Sequence, residues 1–153
     1  MRQLLRVVVV LSLLGTAVVL GQAAAPPAPK LPTQDTALVT SPREARFAPA
    51  KTPHSEGVMQ APIAADPPPG GSVGYAKYAP GAGIPEHWHS ATEASTILAG
   101  KMRLKLAGTM HDLGPGDYWV APPKTPHQLT CVGPEECLTL SRRTGPVDYN
   151  FVK

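Results

Sequence analysis

From Ser72 to the C-terminus, turn-forming glycine and proline interrupt the chain about every eight to twelve residues, which leaves no room for a helix of useful length. What lies between the interruptions alternates. Lys101-Met102-Arg103-Leu104-Lys105-Leu106 is strictly polar then apolar, a period of two that sends Met102, Leu104 and Leu106 to one face and the cations to the other. Gly100, Gly108 and Gly114-Pro115-Gly116 separate successive segments of this kind, and Tyr118-Trp119-Val120 and Leu138-Thr139-Leu140 supply further apolar pieces. The pattern predicts an all-β sandwich or barrel.

Inside this region His87 and His89 stand two residues apart, so on a strand both imidazoles leave the same face and Trp88 faces away. Glu93 keeps that parity if the chain stays extended across Ser90-Ala91-Thr92. His127 offers a fourth ligand. Three nitrogens and one oxygen suit a first-row divalent ion and leave coordination positions open for water, dioxygen or substrate in a six-coordinate site. A lone His-x-His pair is more often an exposed coincidence than a ligand set, and His54 and His111, which have no spaced partners, read as exposed histidines.

The spacing around these residues carries a family resemblance. Gly81, five residues, His87-x-His89, three residues, Glu93, six residues and Gly100 resembles the first cupin motif at every fixed position. Gly116-Asp117, four residues, Pro122 and then His127 resembles the second, with Lys124 where that motif usually has glycine and Cys131 where it usually has asparagine. The resemblance runs roughly from Gly74 to Gly145. It implies a single-domain jelly-roll β-barrel, the double-stranded β-helix of cupins, with a metal held by His87, His89, Glu93 and His127. A homodimer is the family's expectation. The motifs do not specify function, since cupins include oxidases, decarboxylases, dioxygenases, isomerases, sensors and storage proteins.

Ahead of the barrel the chain changes character. Arg2 and Arg6 precede an apolar run from Val7 to Leu20, and Gly21-Gln22-Ala23 follows with the small residues that a signal peptidase reads. The run is shorter than the roughly 18 residues a spanning helix needs, so residues 1–23 read as a signal peptide removed on export to the periplasm or outside, leaving no stable membrane anchor. No cysteine follows it to take a lipid. Removal of Arg2 and Arg6 leaves 12 basic against 11 acidic side chains, a balance that gives no reason to propose nucleic acid as a partner. More than half of the 19 prolines lie between Pro26 and Pro69. Residues 24–52 therefore read as a Pro/Ala-rich disordered tether and 53–153 as the barrel, with a first strand in Glu56 to Ile63 and a loop at 67–71.

Cys131 and Cys137 flank a turn-like insert, Val132-Gly133-Pro134-Glu135-Glu136, in a chain bound for an oxidising compartment, and read as a disulfide. A redox or copper thiolate is the alternative. No His or Met follows either cysteine at the spacing of a blue-copper site, which excludes that class.

Neutral imidazoles with one carboxylate leave a dication's site net positive, suited to polarising an anionic or enolate-like oxygen of a small-molecule ligand or substrate. Iron or manganese is favoured on ligand type, and nickel, copper and zinc are compatible. Acid and base partners are scarce: Glu86 has the wrong parity, and Glu56, Asp66, Asp112 and Asp148 occupy no clear inward position. Tyr75, Tyr78, Trp88 and Trp119 read as packing. Two functions stay open, a metal-dependent oxidoreductase of the dioxygenase type and a non-catalytic module that binds or senses a metal or small ligand.

Overall fold

The computed structural model describes residues 37–66 and 70–153, and among them there is no helix. The strands are β1 (Ala48–Pro49), β2 (Val58–Asp66), β3 (Gly71–Tyr78), β4 (Gly83–Trp88), β5 (Glu93–Ala99) and β6 (Met102–Leu106). After them come β7 (Thr109–Leu113), β8 (Tyr118–Ala121), β9 (His127–Cys131), β10 (Cys137–Arg143) and β11 (Asn150–Phe151). One sheet has the order β1-β2-β3-β10-β5-β8 and the other β11-β4-β9-β6-β7. From β4 onward the chain crosses repeatedly between the two, which is the jelly-roll path. Their inner faces meet in one core of Val58, Ile97, Met102, Leu104, Leu129 and Trp119 with the two cysteines. Each large aliphatic side chain sealed there contributes about 1.5–3 kcal/mol relative to exposure.

The alternation at 101–106 sorts as expected: Met102 and Leu104 are fully buried, Leu106 packs on the core's margin and Arg103 is exposed. Arg103 pairs with Asp112 across β6 and β7, at 2.8 Å. The first strand of the barrel starts earlier than the boundary at 53. Ala48 and Pro49 pair with Gln60 and Met59, the Ala50 N–H donates to the Val58 carbonyl at 2.9 Å, and Ala50 packs against the core. Pro49 lacks a donor, and the outermost strand of a sheet is where a missing donor is tolerated. Lys77 lies over the Phe47 ring at 4.7 Å, so the segment before β1 also touches the sheet. Residues 1–36, which include the expected signal peptide and the first part of the expected tether, lie outside the described residues, as do 67–69 of the expected loop.

Cys131 and Cys137 are bonded, with their Cα atoms 5.8 Å apart. Cys131 closes β9 in one sheet and Cys137 opens β10 in the other, so the bond staples the two sheets. Gly100 fits against it, since a Cβ there would come within 2.6 Å of the Cys137 sulfur.

Lys124, where the family motif has glycine, has φ of 63°. Its N–H donates to the His89 carbonyl at 2.8 Å, which ties the turn before β9 to the end of β4. A left-handed residue with a Cβ costs about 1–2 kcal/mol, and glycine escapes that at some cost in chain entropy. Lys124→Gly should therefore raise unfolding free energy by about 0.5–1 kcal/mol, read by denaturant titration. Replacing both cysteines with alanine should lower it by about 2 kcal/mol in the same assay, because the closed loop is short.

Candidate metal centre

His87 is the penultimate residue of β4, His89 follows that strand, Glu93 opens β5 and His127 opens β9. All four are buried, and one ligand atom from each lies within 4.8 Å of the others. His87 and His127 are direct partners in the β4–β9 register. Glu93 arrives differently from the sequence expectation. The chain is not extended across Ser90–Thr92; it crosses there from one sheet to the other, and Glu93 faces the histidines from the opposite sheet. Facing sheets bring the carboxylate inward where strand parity alone had no grounds to apply.

The imidazole orientations follow from their hydrogen bonds. A carbonyl oxygen can only accept, so each Nδ1 facing one must carry the proton. His87 Nδ1 donates to the Pro85 carbonyl at 2.7 Å, His127 Nδ1 to the Thr125 carbonyl at 2.9 Å, and His89 Nδ1 to the Asp148 carbonyl. In the neutral rings every Nε2 is then a bare lone pair. Those of His89 and His127 lie 2.8 and 3.4 Å from Glu93 Oε2 and have no hydrogen-bond partner. Acceptors facing one another across such distances in a buried place need a cation between them, and donors bound cis to an ion at about 2.1 Å stand about 3 Å apart. The residues fit a divalent metal.

Sequence reasoning missed Arg143 and Tyr149. Arg143 is the register partner of Glu93 across β5 and β10, and its Nη2 donates to Glu93 Oε1 at 2.8 Å. Burial by itself would raise the Glu93 pKa, but the Arg143 guanidinium beside it holds it well below the usual carboxylate range. Tyr149 sits 5.0 Å from the His87 ring and 4.9 Å from the His89 ring, and Trp119 lies 5.4 Å from His127. The pairing of β11 with β4 delivers Tyr149 and Phe151 to this place. No local periodicity in Val147-Asp148-Tyr149-Asn150-Phe151 marks it, because the pairing is made with a strand some sixty residues earlier.

The other candidates fall elsewhere. Asp66 is buried but pairs with Arg142 at 2.7 Å, Asp112 is exposed against Arg103, and Glu86 pairs with Lys105 at 2.9 Å. Asp148 meets His89 Nδ1 through its carbonyl, and its carboxylate, 4.0 Å from the same nitrogen, accepts from the Ser90 N–H at 3.1 Å. His54 and His111 are exposed. Tyr78 is buried and lines the centre with Glu93, and burial together with that negative charge pushes its pKa up, so it stays protonated.

Residues 74–141 match the family model for the cupin domain. That stretch is a cupin domain. Similar solved structures include the polyketide cyclase RemF from Streptomyces resistomycificus, at 18% identity over 77% of this chain and 87% of that one, with a TM-score of 0.65. A cupin 2 conserved barrel domain protein from Rhodopseudomonas palustris matches at 20% identity over 74% and 83%, TM-score 0.63. KdgF from Halomonas sp. matches at 22% over 74% and 96%, TM-score 0.59. At such identities the likeness is one of fold. No curated protein matches the chain by sequence.

In this cupin, burial lowers the His87 pKa from 6.5 to about 4, against the smaller opposing pull of the Pro85 carbonyl. The folded state therefore binds that proton less readily than the unfolded chain, and its contribution to stability is complete above pH 6.5 and lost as pH falls toward 4. Glu93, also depressed, adds to the loss lower still. Thermal melts of metal-free protein should show Tm falling through this window, with a shallower slope for His87→Gln.

Proposed function

We propose that this cupin is exported, that it holds one divalent ion, iron or manganese in preference, through His87, His89, Glu93 and His127, and that it acts as a dioxygenase-type oxidoreductase on a small organic molecule. The reading is carried by one observation: imidazoles locked by carbonyls into the same tautomer, with unpartnered Nε2 atoms converging on a single carboxylate oxygen. Such an ion supplies Lewis acidity and open positions at which a substrate and an oxidant can be brought together.

The chain's own residues bind, orient and exclude. Arg143 occupies Oε1 of Glu93 and so leaves Oε2 turned toward the histidines. Tyr149, Trp119 and Phe151 wall the imidazoles and keep water from them. Tyr78 offers a protonated hydroxyl and no base. The carboxylate beside the centre that is not a ligand, Asp148, is held by the Ser90 N–H and the Asn150 amide, which argues against chemistry that depends on a mobile side-chain acid. The buried disulfide supports export to an oxidising compartment.

A second reading, a non-catalytic module that binds or senses a metal or small ligand, is favoured by the space at the centre itself. That space is about 10 Å³, room for an ion or one water. The two readings separate on oxygen uptake by iron-loaded and manganese-loaded protein offered phenols, diketones and thiols: turnover supports the oxidoreductase, and metal bound tightly with no turnover supports the module. His89→Ala should lose most bound metal by elemental analysis while keeping its strand spectrum, since the apolar cluster and the disulfide hold the two sheets together without His89. Full occupancy in that variant would remove the four-ligand assignment.

A further inference from the structure

Resting on the metal reading above, we propose that Arg143 sets the ligand class of this site: a small organic carboxylate, received in the neighbouring cavity and paired with the guanidinium beside the ion.

That cavity, about 250 Å³, lies against β2, β3 and β10, and its polar lining is Gln60, Ser72, Tyr75, Tyr78, Ser141 and Arg143. Arg143 and Tyr78 also line the space that holds His87, Glu93 and His127, so the two compartments share these side chains as their wall. The cavity exists because the cross-strand row Gly74, Ser141 and Ser95 consists of small residues, which leaves the inner face of these strands unfilled. The next row sets Ser72, Arg143 and Glu93 side by side. At about 250 Å³ the cavity falls just under the roughly 300–1,000 Å³ of sites for drug-sized ligands, so it admits a small molecule.

Charge selects the class. Among the described residues no Asp or Glu lines the cavity, and Glu93, beyond its wall, is already paired with Arg143. Three neutral imidazoles, one carboxylate and one guanidinium sum to zero, so a divalent ion leaves two positive charges in a buried place. A neutral ligand does nothing to offset them; a carboxylate does. Arg143 is also under-used. It carries five donors, of which Nη2 serves Glu93 at 2.8 Å and the Tyr149 hydroxyl oxygen at 3.5 Å, while Nε is buried with no partner. The Nε–H and the Nη1 hydrogens remain to donate to a carboxylate oxygen.

The test uses isothermal calorimetry on zinc-loaded protein, with metal content measured separately, and compares benzoate with benzamide, propionate with propionamide, and each with inorganic phosphate. Wild type should prefer each acid over its amide by about tenfold or more, the scale of one charge-assisted hydrogen bond. Arg143→Gln should erase that preference, Arg143→Lys should retain part of it, and Ser72→Leu, which fills the cavity away from the metal ligands, should weaken both acids while metal content stays at the wild-type level. Wild type that binds metal but takes the amides as well as the acids, or takes phosphate alone, overturns the inference and leaves the metal reading intact. So does an undiminished preference in Arg143→Gln or unchanged binding in Ser72→Leu. If Arg143→Gln does not fold, the Lys and Ser72 variants decide. Wild type that binds no metal overturns the earlier reading itself.

Discussion

Glu93 is a full negative charge held among buried side chains, and its ion pair with Arg143 is the interaction on which the centre depends. Sealing a carboxylate away from water costs several kcal/mol unless it is paired and hydrogen-bonded. Arg143 meets that need from the adjacent strand at the same register position, so the pair is fixed by the β5–β10 ladder and no side-chain search is required. Once Oε1 is taken, Oε2 has one direction left, toward the imidazoles. Loss of either partner would strand the other without compensation, at about 3–5 kcal/mol.

The imidazoles are fixed by backbone. Pro85, Thr125 and Asp148 each contribute a carbonyl to an Nδ1, and two of the three lie two residues before the histidine they hold. This local geometry needs only a kinked strand end, and prolines at 85 and 126 sit next to both places. His89 is held from a distance by the Asp148 segment, whose carboxylate is anchored in turn by the Ser90 N–H and the Asn150 amide. The centre thus depends on the C-terminal segment as much as on the two motif strands.

What the sequence made legible was whatever a local period or a fixed spacing can encode. Alternation placed Met102 and Leu104 in the core, and the glycine-bounded motifs singled out the four residues the fold brings together. Glu93 joins the cluster by another path than the expected one, because a change of sheet between Trp88 and Glu93 leaves no trace in side-chain parity. Arg143, Tyr149 and β1 were missed for a related reason. Their roles come from pairing between distant segments, Arg143 with Glu93, Asn150 with Trp88 and Ala48 with Gln60, and such register is set by neighbours in space. β1 was harder still, since a proline-rich segment reads as unpaired when only the strand interior is considered, whereas an edge strand has no need of Pro49's missing donor.

The distribution of constraint along β9 and β10 explains how an exacting centre coexists with an ordinary core. β9 runs from His127 to Cys131 and β10 from Cys137 to Arg143, so each strand carries a site residue at one end and half of the disulfide at the other. Between the ends lie Leu129, Thr139 and Ser141, with Ile97 opposite Thr139. The covalent staple fixes the two sheets at one end and the apolar cluster packs between them, which lets the other end carry the four buried ligand residues. A divalent ion held by the four would therefore add stability at that end, and its removal would loosen His89 and the C-terminal segment before the stapled end is disturbed.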